Sequence, residues 1–165
     1  MTVISTDKDE KHLAFTIVAE FDATLERVWQ IWADPRKLEL WWASSTSPAT
    51  FETHEFEPGG VAHYYVLGSL GQKVRGRWSI TAIAAPRTLH FDDGFADSNW
   101  EPIEDMGTAH ALVDLVDLGG RTRMTTTMTF DNADQMQPMA EMKMDEDLVT
   151  AMCQIDGILA EPLIS

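Results

Sequence analysis

Cysteine is nearly absent from this sequence. Cys153 is the single cysteine among 165 residues, which excludes an internal disulfide and any metal site built from several thiolates. Acidic residues such as Asp147 and Asp156 surround it in sequence, whereas a reactive thiolate needs cationic neighbours. We therefore interpret Cys153 as an ordinary helix residue rather than a nucleophile.

Long apolar runs are also missing. No run approaches the ~18 residues that a membrane-spanning helix requires. The segment 1–11 is polar, carries charges of both signs and lacks the apolar core of a secretory signal. These two absences predict a soluble, cytoplasmic protein without a membrane partner.

Basic residues are scarce. Lys and Arg number 12 against 27 Asp and Glu, which leaves a formal net charge of −15. An acidic surface repels the phosphates of nucleic acids and the headgroups of anionic membranes, so both are excluded as partners. The charge itself predicts solubility and names no ligand.

The length of the chain favours one domain. A chain of 165 residues buries roughly 70% of the surface that its unfolded form exposes. Six Trp and seven Phe are available for a core, and no internal repeat or linker divides the chain. We predict a single domain over residues 1–165, with its core in residues 12–161.

The first elements follow from hydrophobic periodicity. Apolar side chains alternate through residues 12–21, the pattern of a half-buried strand. The next apolar residues, Leu25, Val28, Trp29 and Trp32, have helical spacing, and either Asp22 or Thr24 can cap that helix. Pro35 stops this helix and opens a second short one that runs to Trp42.

Residues 49–130 predict six strands separated by turns. The strand segments are 49–57, 61–67, 72–83, 88–92, 107–117 and 121–130. The turns lie at Pro58-Gly59-Gly60, Gly68–Gly71 and Leu118-Gly119-Gly120, where glycine can adopt positive φ. A long polar loop is predicted over residues 93–106.

The C-terminal segment predicts one long helix over residues 139–161, with a kink near Pro138. Its apolar stripe comprises Met144, Leu148, Ala151, Met152, Ile155, Ile158 and Leu159. A strongly twisted antiparallel sheet curls, and one amphipathic helix fills its concave face. We predict an α+β helix-grip fold: a seven-stranded curved antiparallel sheet wrapped on the C-terminal helix, with two short helices after the first strand.

Several short motifs resemble those of a known superfamily. They are Phe21-Asp22-Ala23, Glu26-Arg27-Val28-Trp29, Asp34-Pro35, Leu40-Trp41-Trp42, Pro58-Gly59-Gly60, Gly76-Arg77-Trp78, Pro86-Arg87, the segment 119–125 and Met142-Lys143-Met144. In this order and spacing the chain resembles the SRPBCC, or START-like, superfamily, in the branch named after the activator of the heat-shock protein ATPase. The segment 91–97 is similar to a bacterial subgroup of that branch. Lys143 and Asp147 depart from the pattern, because similar sequences usually have glycine there.

The resemblance implies a helix-grip fold whose chamber between sheet and helix often holds a ligand. Strand parity and the helix stripe select an aromatic and thioether lining, together with Ile80 and Leu89. The predicted ligand-binding residues are Trp41, Trp42, Phe51, Tyr64, Trp78, Phe91, Phe95, Trp100, Met124, Met128, Met144, Leu148 and Met152. Four of these, Trp41, Trp42, Phe95 and Trp100, are expected in loops or short helices at the rim of the chamber. The same residues also fit a closed, packed core.

Asp93 is the one candidate catalytic residue. Parity from Leu89 and Phe91 turns its side chain inward, where burial would raise its pKa and suit it to proton transfer. A solvated turn at Asp92-Asp93-Gly94 is the alternative. The histidines show no metal-ligand spacing, and His63, His90 and His110 are expected to point outward, so neither a metal nor a cofactor is predicted.

Three functions remain open from the sequence. The first is non-covalent binding of a small hydrophobic or aromatic molecule in the chamber. The second is a co-chaperone-like interaction with a protein partner, connected with the stress response. The third is a polyketide cyclase or hydrolase-like enzyme that uses Asp93 with a tyrosine. Edge strands can also pair across a two-fold axis, which makes a homodimer a further prediction.

Overall fold

The computed structural model describes residues 2–9, 11, 13–42, 49–68, 70–103, 108–134, 136–137 and 144–160. The strands are β1 (Thr2–Asp9), β2 (Ala14–Phe21), β3 (Thr50–His54), β4 (Val61–Leu67), β5 (Lys73–Ala84), β6 (Thr88–Ala96), β7 (Thr108–Asp117) and β8 (Thr122–Thr129). The helices are α1 (Leu25–Ala33), α2 (Pro35–Leu38), α3 (Met144–Met152) and α4 (Ile155–Ala160). None of the described helices is long and apolar enough to cross a membrane.

All strands belong to one antiparallel sheet in the order β1-β2-β8-β7-β6-β5-β4-β3. The described residues thus form eight strands, and the prediction of seven is wrong by one. The extra strand is β1, which pairs with β2 through Thr6 opposite Ile17 and Lys8 opposite Phe15. Residues 5–8 are exposed, so β1 has the polar composition of an edge strand and none of the alternation that reveals a half-buried one.

The two predicted short helices form, because each has a polar cap, but the second ends at Leu38 and does not run to Trp42 as predicted. Thr24 Oγ1 accepts a hydrogen bond from the Arg27 amide at 3.4 Å, and Asp34 Oδ1 accepts one from the Arg36 amide at 2.9 Å. The apolar face of α1 is buried, with Val28 and Trp32 fully so. Trp32 thereby reaches the inner face of the sheet.

Strand β6 is longer than predicted and includes two residues that were predicted to lie in a loop. It continues to Ala96, pairing Trp78 with Asp93 and Arg75 with Ala96 across β5. Asp93 and Phe95 are therefore strand residues, and the prediction that a loop begins at residue 93 is wrong. Backbone pairing with β5 continues past the point where Asp92 and Asp93 interrupt the apolar alternation.

The C-terminal helical segment is interrupted rather than continuous. Helix α3 ends at Met152 and α4 begins at Ile155. At the break the amide of Gln154 bonds to the Ala151 carbonyl at 3.0 Å, a tighter i−3 spacing than the helical i−4. The predicted start of the helix and the kink near Pro138 lie outside the described residues.

The core lies between the concave face of the sheet and the helices. On β8 the side chains of Thr122, Met124, Thr126 and Met128 are buried and alternate with more exposed neighbours, as predicted. Leu148 and Met152 from α3 are buried in the same core cluster. This arrangement is the helix grip: one curved sheet closed by helices on its inner face.

Candidate functional site

A cluster of tryptophans fills one end of the space between sheet and helices. The ring of Trp32 lies 4.8 Å from that of Trp41, 6.0 Å from Trp42 and 6.1 Å from Trp78, measured between centroids. The indole N–H of Trp41 donates to the Ile31 carbonyl at 3.0 Å, and that of Trp32 approaches the Met124 sulfur at 3.3 Å. Trp41 has no exposed surface, so its predicted place at the rim of the chamber is wrong: it belongs to the packed core.

Gly76 lets Tyr64 lie flat on the sheet. Tyr64 of β4 is opposite Gly76 of β5, and a Cβ at residue 76 would overlap the tyrosine ring and hydroxyl. On its other side the ring stacks on Phe51, with centroids 4.9 Å apart and planes at 26°. The glycine of the Gly76-Arg77-Trp78 motif thus sets the position of the Tyr64 hydroxyl.

That hydroxyl reaches Asp93. Tyr64 Oη donates to Asp93 Oδ1 at 3.1 Å, and Asp93 is only 4% exposed. The inward orientation predicted from strand parity is confirmed. The indole N–H of Trp78 approaches the same carboxyl, but its geometry falls outside that of a hydrogen bond, and no other described residue accepts from it.

Burial raises the pKa of Asp93 to about 7, and the nearby Tyr64 and Trp78 donors oppose the shift. Burial, with the Asp93 charge next in importance, raises the pKa of Tyr64 well above its ordinary range. At neutral pH the site therefore holds a carboxyl close to half ionised beside a neutral phenol. It can accept or donate one proton, or accept a hydrogen bond, inside an apolar wall.

Part of the wall around this pair is half-buried rather than fully buried. Trp42, Tyr64, Val66, Val74 and Phe95 are half-buried on the inner face, and we call this surface, together with Asp93, the aromatic recess. Register places its members side by side, because Tyr64 is opposite Gly76 and Gly76 is opposite Phe95. The Trp42 ring closes one side, 6.2 Å from Tyr64 and 4.8 Å from Trp78.

The other predicted ligand-binding residues divide into two groups. Phe51, Trp78 and Phe91 lie behind the recess, with Phe91 stacked on Trp78 at 4.1 Å. Met124, Met128, Leu148 and Met152 are buried in the general core. The side chain of Met144 lies outside the described residues.

Trp100 is on the opposite face of the sheet from the recess. Its ring stacks on His63 at 4.6 Å with planes at 4°, and the Arg75 guanidinium lies 5.6 Å from its centroid. Its predicted place at the chamber rim is therefore wrong. The loop that carries it is organised by Asp97, whose carboxylate accepts from the amides of residues 99 and 101, and Trp100 itself has φ of 64°.

A second opening lies at the other edge of the helix grip. A cleft of about 350 Å³ separates α3 from the β1–β2 edge. Phe15, Ile17 and Val149 supply its apolar surface, while Lys8 and Glu146 supply charge. None of the predicted ligand-binding residues lines it.

Among the described histidines, His110 on the outer face has the most polar contacts. Its Nδ1 lies 2.6 Å from Asp92 Oδ1 and its Nε2 lies 2.9 Å from Asp131 Oδ1. These carboxylates, Asp92 foremost, raise the pKa of His110. The pairing depends on strand register, which spacing along the chain does not reveal. In the part of the chain that the structure describes, no group of three His, Cys, Asp or Glu side chains could hold a metal.

Comparison with known proteins gives one family and many structures. The family model described as "Activator of Hsp90 ATPase homolog 1-like protein" matches residues 22–160. No curated protein matches the chain.

Three of the similar solved structures cover nearly the whole chain. A protein from Arthrobacter aurescens, solved by NMR, is 56% identical over 98% of this chain and 94% of its own, with a TM-score of 0.91. Protein Ms6760 from Mycobacterium smegmatis is 36% identical over 98% and 99%, with a TM-score of 0.87. A Staphylococcus epidermidis protein, at 21% identity over 100% and 97% and a TM-score of 0.81, shares the fold.

Proposed function

This chain belongs to the activator of Hsp90 ATPase homolog 1-like family of START-like proteins, and on that basis we propose that it binds a small hydrophobic or aromatic molecule without a covalent step. The aromatic recess is the proposed binding surface. The fold holds its helices against the concave face of the sheet, and on that face the side chains of Trp42, Tyr64 and Phe95 are half-buried.

The observation that carries this proposal is the burial of Asp93 in an aromatic wall. A carboxyl placed there weakens the fold, because its charge is taken out of water and the nearby phenol compensates it only in part. An apolar side chain of similar size would pack at least as well between Trp78 and Phe95. A buried acid with a strongly raised pKa next to a concave apolar surface is typical of a binding or active site.

The composition of the recess fits the same role. Ligand sites are mostly apolar, with a few convergent polar groups that fix the orientation of the guest. Trp42, Phe95 and Val66 supply apolar surface, and the Tyr64–Asp93 pair supplies one donor and one acceptor. Half-buried aromatic rings next to each other also form an apolar patch that a ligand would cover.

The test uses the two tyrosines of the chain, Tyr64 and Tyr65. They are adjacent in β4 and point to opposite faces: Tyr64 contacts Asp93, while Tyr65 lies under the Lys73 ammonium at 4.5 Å. A panel of neutral aromatic compounds is screened by tryptophan fluorescence and thermal shift. We expect Tyr64→Phe to weaken binding of the hits about 5–10-fold, the value of one hydrogen bond, and Tyr65→Phe to leave it unchanged. Equal effects of the two substitutions, or no hit at all, would count against the recess.

A protein-interaction role is the second candidate, and the outer face favours it. Trp100 and His63 form a flat aromatic surface beside Arg75, and aromatic residues and arginine are enriched where proteins bind each other. The family description suggests an Hsp90-type chaperone as the partner to test. Stimulation of the chaperone ATPase by the wild-type chain, lost with Trp100→Ala and kept with the outward Leu112→Ala, would support it. An unchanged ATPase rate would contradict it.

A further inference from the structure

We infer that the aromatic recess takes an organic cation, an amine or quaternary ammonium group attached to an apolar body. The inference rests on the proposed function and names the class of ligand. It follows from the combination of one carboxyl with several aromatic rings.

The rings that surround the carboxyl supply the first part of the argument. Trp78 is opposite Asp93 in the sheet, Tyr64 bonds to it, and Trp42 lies within 6.2 Å of both other rings. Aromatic faces attract cations through their quadrupole, and tryptophan does so most strongly. The rings of Trp42 and Phe95 are half-buried beside the Tyr64–Asp93 pair, so their free surface can meet a positive group, while Trp78 is buried behind them.

The chain supplies no cation of its own in the described surroundings of Asp93. Its neighbours are Tyr64 on β4, Gly76 and Trp78 on β5, Phe91 and Phe95 on β6, and Ala109 on β7. Among these, Tyr64 is the one titratable group, and it is neutral at physiological pH. The arginines of β5, Arg75 and Arg77, alternate with these inward residues and so point to the outer face. A ligand cation would give the carboxylate the partner that these neighbours do not provide.

The charge of the whole chain points the same way. A net charge of −15 attracts cations over long range and repels anions such as fatty acids. Inside the recess an anionic group would also face Asp93. A neutral acceptor, such as a ketone, remains the competing ligand, because it can bind the protonated form of Asp93.

The pH dependence of binding separates these two ligands. The pKa of Asp93 is about 7, so the ionised form that a cation requires becomes dominant above that pH. Affinity for a cation should rise about tenfold per pH unit up to about 7 and then level off. Affinity for a neutral acceptor should fall over the same range.

The experiment compares benzyltrimethylammonium with neopentylbenzene, its neutral isostere, by NMR and tryptophan fluorescence titration at pH 5.5, 7 and 8.5. We expect both to bind and the cation to bind at least tenfold more tightly at pH 8.5, with the advantage shrinking at pH 5.5. Asp93→Asn should abolish the advantage, while Tyr65→Phe should keep it. The pH profile of the wild-type chain gives a readout that does not depend on the folding of any variant.

The outcomes are distinct. If the isostere binds as tightly as the cation at every pH, or if Asp93→Asn keeps the full advantage, the cation inference is overturned and binding of a hydrophobic molecule stands. If neither compound binds at the recess, the proposed function fails together with the inference. Tighter binding of benzyltrimethylammonium at pH 5.5 than at pH 8.5 would also overturn it.

Discussion

Asp92 and Asp93 are neighbours in sequence, and the sheet places them on opposite faces. Asp92 is partly exposed and lies 2.6 Å from His110, which can carry the compensating charge. Asp93 is buried among aromatic rings, where a phenol is its hydrogen-bond donor. The same side chain thus has a charged partner on the outer face, whereas on the inner face none of the described residues supplies a counter-ion. A buried carboxylate without a positively charged partner points to a functional site, because a carboxylate with a purely structural role is normally paired with a charge or hydrogen-bonded within the fold.

Asp93→Asn is the substitution with the largest expected effect. The pKa of this carboxyl is about 7 in the folded chain, against an ordinary 3.8, so the folded state holds its proton longer than the unfolded state. The contribution of this carboxyl to stability is therefore largest below pH 4, is lost as pH rises to about 7 and stays constant above. The loss is on the order of 4 kcal/mol at most. Urea unfolding at pH 4, 6 and 8 measures this loss. The free energy of unfolding of Asp93→Asn, relative to that of the wild type, should increase by this amount as pH rises.

The matched control for this measurement is Asp92→Asn. It removes the carboxylate on the outer face and leaves Asp93 in place, so it should retain the loss of stability between pH 4 and 7. Parallel stability curves for the wild type and Asp93→Asn would show that the buried carboxyl has no raised pKa.

Gly76→Ala should have the next largest effect. The added Cβ overlaps the ring and hydroxyl of Tyr64, so the ring must leave the sheet and lose its bond to Asp93. We expect a loss of about 1–3 kcal/mol in the free energy of unfolding and loss of ligand binding. Chemical denaturation and ligand titration measure both.

Gly157→Ala is the matched control for that substitution. Gly157 is in α4, and a Cβ there meets no atom within 4 Å, so stability should stay constant or rise by up to about 1 kcal/mol. If both glycine substitutions behave alike, close approach of Tyr64 is not what requires glycine at residue 76.

The outer-face cluster should give a smaller pH effect in the same direction, displaced to higher pH. The pKa of His110 is raised in the folded chain, chiefly by Asp92, so its contribution is present below the unfolded pKa of 6.5 and is lost as pH rises through the folded value. These side chains are more than a third exposed, which limits the contribution to below about 1 kcal/mol. An NMR titration of His110 should show its pKa falling in Asp92→Asn; an unchanged value would mean that the pair does not persist in solution.

A comparably small effect is expected at Trp100. Its φ of 64° is costly for a bulky side chain and free for glycine. Trp100→Gly should therefore lose the stacking on His63 but recover about 1 kcal/mol of backbone strain, and should be more stable than Trp100→Ala. Denaturation of both variants measures the difference. Equal stabilities would mean that the loop relaxes once the indole is removed.

Periodicity predicted much of the fold because most elements bury one face. The spacing of Leu25, Val28 and Trp32 matched α1, and the predicted strand 61–67 matched β4 to the residue. The edge strand β1 was not predicted because its exposed residues show no alternation of apolar and polar side chains. It forms through backbone pairing alone. The edges are β1 and β3, and the homodimer, like the cytoplasmic location, stays a prediction.

The candidate site was predictable only in part. Parity placed Asp93 inward because alternation is a local property of a strand. The contact with Tyr64 depends on the register of three strands and on the absence of a side chain at Gly76, which no local pattern reports. Trp100 was assigned to the wrong face because a loop has no parity. Trp41 was expected at a rim, but its indole bonds to the α1 backbone.

The state of Asp93 itself is the most direct test of this account. Carbon NMR of the side-chain carboxyl, assigned with Asp93→Asn, gives its pKa in the free protein and with saturating benzyltrimethylammonium. We predict a value near 7 in the free chain that falls by at least one pH unit when the cation is bound. A value near 3.8 in the free chain, or a pKa near 7 that the cation leaves unchanged, would contradict the account.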